Sequence, residues 1–77
     1  MKNNTDIQRP TIGKKYIWYY SSKDRKCWMS IIPIYYSDEY NKAMCRVWTT
    51  HTGEQITLFD INRLEMDMKN GYLIPEN

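Results

Sequence analysis

The chain has 77 residues, room for one small domain, and a net charge of +2, well short of the strongly basic balance usual in nucleic-acid-binding domains. Three Trp, seven Tyr and one Phe within a largely polar composition fit a compact aromatic core and argue against disorder. Scarce Gly and Pro exclude collagen-like and low-complexity readings. The lack of any apolar run near the roughly 20 residues of a membrane span, or of a signal-peptide core, predicts a cytoplasmic protein with no membrane contact.

Residues 1–10 are polar and end in Arg9-Pro10, which reads as a flexible N-terminal arm. Thr11-Ile12-Gly13 leads into Lys15-Tyr16-Ile17-Trp18-Tyr19-Tyr20, a run of β-formers and the expected first strand. Adjacent Tyr19 and Tyr20 must point to opposite faces. The polar stretch Ser21 to Lys26 is a loop, and Cys27-Trp28-Met29-Ser30-Ile31-Ile32 begins a second strand. Pro33 donates no ladder hydrogen bond, so the strand is expected to bulge, bend or run at an edge there before continuing through Ile34-Tyr35-Tyr36.

After a turn at Ser37 to Lys42, the third strand puts Ala43, Cys45 and Val47 on one face and Met44, Arg46 and Trp48 on the other. The small residues suit a crowded interior, and the Arg with its large neighbours suits a partly wet face. Thr50-His51-Thr52-Gly53 is a hairpin turn, and Glu54 to Phe59 is a fourth strand with Ile56 and Leu58 expected inward. Asp60 is a good N-cap for one 3₁₀ or α turn over Ile61 to Leu64, and Glu65 to Met68 is expected to extend as a closing strand. Asn70-Gly71 marks a turn, after which Tyr72-Leu73-Ile74 is apolar enough to pack back before Pro75. Cys27 and Cys45 form no CxxC pair and are expected to be reduced, buried small hydrophobes.

This order of parts resembles the SH3-like barrel, and within it the Tudor-like domains. The similarity is carried by Gly13 to Tyr20, by Cys27 to Ile32, and by Arg46-Val47-Trp48-Thr49 through Asp60-Ile61-Asn62-Arg63-Leu64. It implies an all-β fold: a single small antiparallel barrel of about five strands with a helical turn before the last. Residues 11–68 would form the barrel and 69–77 a tail packed on it. The Tudor likeness further implies an aromatic cage that holds a methylated side chain by cation–π attraction, with rings at Tyr20, Trp28 and Trp48, an imidazole at His51 and an anion from Glu54. The same rings also suit the core of so small a barrel, Trp28 above all. A slighter likeness to the small plasmid-type dihydrofolate reductases rests on Gln55-Ile56, although Thr57 stands where that family's strand has Tyr.

No catalytic, cofactor or metal constellation is evident: one histidine lies in a turn, adjacent Asp38 and Glu39 diverge, and two cysteines with one histidine do not make a zinc set. The expectation is a non-enzymatic module that recognises a partner protein through exposed aromatics, of the size of accessory or inhibitor proteins encoded by phages and mobile elements. The alternative is nucleic-acid binding. The first thirty residues hold seven basic and two acidic side chains, a balance of +5, against −3 for the remainder. Lys14, Lys15, Lys23, Arg25 and Lys26 would then track phosphates while Trp18, Tyr20 or Trp28 stack on bases, and Arg46 and Glu54 are expected at the rim of the binding surface. Edge strands also leave a homodimer open.

Overall fold

The computed structural model describes residues 8–19 and 27–76, with the side chains of Cys27 and Trp28 outside that description. Five strands and one helix follow in chain order: β1 (Tyr16–Tyr19), β2 (Cys27–Ser37), β3 (Lys42–Thr49), β4 (Gly53–Asp60), α1 (Ile61–Lys69) and β5 (Leu73–Pro75). All pairings are antiparallel, and the sheet order is β4-β3-β2-β1-β5. The sheet is open, not closed into the expected barrel. β5 is only three residues long and pairs with β1, and among the described residues no strand joins the outer edge of β4.

The inner face is the core. Ala43, Cys45 and Val47 alternate inward from β3, beside Met29 and Ile31 of β2, Tyr16 and Trp18 of β1 and Leu73 of β5. Ile61 and Leu64 of α1 cover this face, so the domain has two layers, sheet and helix. Among the described residues, Trp18 is the largest wholly buried side chain. Its ring meets the edge of Phe59 at 5.1 Å, its Nε1–H donates to Asp67 Oδ2 at 2.7 Å, and the Arg63 guanidinium lies over it at 5.4 Å.

Pro33 marks a bulge, as its missing N–H requires: the β2–β3 register shifts between Pro33 and Tyr35, with Ile34 the extra residue. The buried Pro33 carbonyl accepts from Gly13 N–H at 2.9 Å. The last residues of the N-terminal segment lie against this part of the sheet. Pro10 is buried and its carbonyl accepts from the Tyr36 hydroxyl, while Thr11 N–H donates to Tyr16 Oη at 2.7 Å. Arg9 lies 5.3 Å over the Tyr36 ring and pairs with Asp38 and Glu65. Residues 1–7, the rest of the expected arm, lie outside the described residues.

Two expectations are corrected by α1. Glu65 to Met68 is helix, not a closing strand; α1 runs nine residues, and Leu73–Pro75 is the last strand. Asp60 does occupy the N-cap position, but its carboxylate makes no cap bond. It goes to Lys42 Nζ at 2.6 Å, and the first helical N–H, of Ile61, is taken by the Asn41 carbonyl at 3.1 Å. The other end closes in a Schellman arrangement. Gly71 has φ +84°, Tyr72 N–H reaches Asp67 C=O at 2.8 Å, and Gly71 N–H reaches Met68 C=O at 3.3 Å.

Candidate functional site

The outer face of the sheet is set by the regular β3–β4 register and by the β2–β3 register on the other side of β3. Side chains directly opposite one another share a face, so four rows cross it. Ser30, Trp48 and Glu54 form the first; Ile32, Arg46 and Ile56 the second; Tyr35, Met44 and Leu58 the third; Ser37, Lys42 and Asp60 the last. Ile56 and Leu58 therefore point outward, against expectation. They are 57% and 58% exposed, because they oppose Arg46 and Met44 and not the inward residues of β3.

Trp48 is half exposed, as are Tyr35 and, to a lesser degree, Met44 and Ile34. One face of an antiparallel sheet normally meets water with polar side chains. This face is apolar through its two central rows, apart from Arg46, and Arg46 is neutralised: its Nε and Nη2 both donate to Glu54 Oε2, at 2.9 and 2.6 Å. Beside the pair lies an open cleft of about 340 Å³ lined by Lys15, Ser30, Ile32, Arg46, Trp48 and Glu54.

Of the residues singled out in the sequence, the structure thus brings together Trp48, Arg46, Glu54 and Lys15. His51 is exposed in the hairpin turn and is not among the residues lining the cleft. That turn is held by Thr49 and Thr52: Thr52 N–H donates to Thr49 Oγ1 at 3.0 Å, and the two hydroxyls are 2.7 Å apart. Lys14 is exposed and donates its backbone N–H to Thr11 C=O. Tyr20, Lys23, Arg25 and Lys26 lie outside the described residues, and of Trp28 only the backbone, in β2, is described.

Much of the described positive charge is already paired. Lys15 reaches Glu76 at 3.4 Å, Lys42 reaches Asp60, Arg46 reaches Glu54, Arg63 reaches Asp67, and Arg9 takes Asp38 and Glu65. The Arg9 guanidinium, by hydrogen bond and charge, holds the Asp38 carboxyl below the ordinary carboxylate range. Among the described residues, no group of three or more His, Cys, Asp or Glu is placed to hold a metal ion.

Sequence reasoning missed Tyr35, Ile56 and Leu58 as members of the exposed face. A usable signal was present, since pairing Arg46 with Glu54 and Lys42 with Asp60 fixes the β3–β4 register and turns Ile56 and Leu58 outward. No protein-family model, curated protein or solved structure matches this chain.

Proposed function

We propose that this chain is a non-catalytic binding module that recognises a partner protein through the outer face of its sheet, with Trp48 as the anchor. The observation that carries this reading is the apolar surface of that face, where Tyr35, Met44, Ile56 and Leu58 stand exposed in the central rows and Trp48 in the row beside them, opposite the face that holds the core. Contiguous apolar surface rimmed by polar groups is the profile of a protein interface, and Trp is the residue most enriched at interface hot spots. The Arg46–Glu54 pair and Lys15 supply a polar rim beside the ring. The strand order, the bulged β2 and the helix before β5 support placing the module among SH3-like barrels, here open between β4 and β5.

Ion pairing of Arg9, Lys15, Lys42 and Arg46 with carboxylates favours a protein over nucleic acid as the ligand. The test is affinity capture from the native host, followed by titration of the purified partner. Trp48→Ala is expected to weaken binding by about thirtyfold or more, the scale of a hot-spot residue. Undiminished capture by that variant overturns the reading. So does binding to DNA or RNA that collapses between low and physiological salt.

A further inference from the structure

Independently of that reading, we infer that the outer edge of β4, which no described strand joins, pairs antiparallel with β4 of a second copy of this chain, with Thr57 on the twofold axis. Natural sheets guard their edges with short strands, proline, bulges or charge. β5, the opposite edge, has two of these guards, being three residues long and ending in Pro75. β4 has none along its middle. It is eight residues long, pairs with β3 without a register shift, and carries no proline and no charge from Gln55 to Phe59.

The sequence of β4 is complementary to itself about Thr57. In that register Ile56 faces Leu58 of the second copy, Gln55 faces Phe59, and Glu54 faces Asp60. Apolar side chains thus meet apolar ones at the centre of the outer face. The acidic ends that abut are each neutralised within their own copy, Glu54 by Arg46 and Asp60 by Lys42, both at 2.6 Å. A slip of two residues either way sets Leu58 against Glu54 or Ile56 against Asp60. A slip of one sets outer-face residues against inner-face ones. The register centred on Thr57 is therefore the one the side chains select.

An edge ladder of this length lies at the small end of specific interfaces, so the dimer is expected to form at about 0.5 mM and dissociate near about 1 µM. Sedimentation velocity on the full chain across that range should show the mass rising from monomer to dimer. Ile56→Lys and Leu58→Glu each change an exposed side chain, and each is expected to remain monomeric throughout, with circular dichroism confirming the fold. Their equimolar mixture should dimerise again, because the two substituted positions face each other across the axis. Trp48→Ala should leave the dimer intact. The proposal is overturned by a monomer at every wild-type concentration, by dimers that persist in both single variants, by a mixture that stays monomeric, or by loss of the dimer in Trp48→Ala.

Discussion

The indole N–H of Trp18 in β1 donates to the Asp67 carboxylate of α1 across 2.7 Å, a polar tie between the two layers of the domain. The indole is buried and Asp67 is nearly so, which makes the acceptor hard to replace with water. Asp67→Ala is expected to lower stability by about 1–3 kcal/mol, the cost of stranding a buried donor. Asp67→Asn keeps an oxygen at that position and should cost less. Urea denaturation of the two variants checks the order.

Tyr36 carries the attachment of the N-terminal segment, donating to Pro10 C=O under the Arg9 guanidinium. Burial, chiefly, pushes its phenol well above the ordinary 10.0, with Arg9 opposing. The neutral form is thus favoured in the folded state. Its stabilising contribution is complete below about pH 10 and is lost as pH climbs through the raised value. Thermal melts should therefore fall steeply above about pH 10. Tyr36→Phe, which loses about 0.5–1.5 kcal/mol at neutral pH with the hydrogen bond, should show a flatter alkaline limb.

Asn41 sits at φ +55° at the end of the β2–β3 turn, a left-handed position that Asn tolerates and β-branched residues resist. Asn41→Gly should be within about 0.5 kcal/mol of the parent, whereas Asn41→Val should cost about 1–2 kcal/mol. Chemical denaturation midpoints separate the two.

The Cys45 thiol is wholly buried between β2 and β4, and burial pushes it up to about 11. Thiolate is the reactive form, so in a Cys27→Ser background the remaining thiol should resist aromatic disulfide reagents at pH 8. It should react at once in guanidinium chloride. The register sets Cys45 opposite Pro33, six strand residues from Cys27 and so about 20 Å away, too far for the two to be bridged.

Where local chemistry decides, the sequence was readable. Ala43, Cys45 and Val47 fill the inner face as their alternation requires, Pro33 forces a bulge, and Gly53 at φ +69° opens β4. The errors fall where distant partners decide. Ile56 and Leu58 are apolar and alternate, but which face they take depends on where β4 aligns on β3. The helix ran past Leu64 because Met68 continues the buried stripe of Ile61 and Leu64, a period too short to stand out in nine residues. The open sheet was not legible, since closure depends on pairing between β4 and β5, which stand at opposite ends of the strand order. Of the candidate site, Trp48, Arg46 and Glu54 were legible because one strand and its hairpin hold them together.

The Asn41 carbonyl that receives Ile61 N–H also has an order in time. Because the turn that closes the β2–β3 hairpin supplies the acceptor for the first N–H of α1, the helix is expected to become stable only once that hairpin has formed. The β2–β3–β4 meander is built from neighbours in sequence and is expected to form early, with α1 growing from its end. β5 and the Arg9–Thr11 segment lie far along the chain from several of their partners and should dock last. A protease nick near either terminus would then undo the last fasteners first, leaving a meander and helix whose core stands partly open on the β1 side.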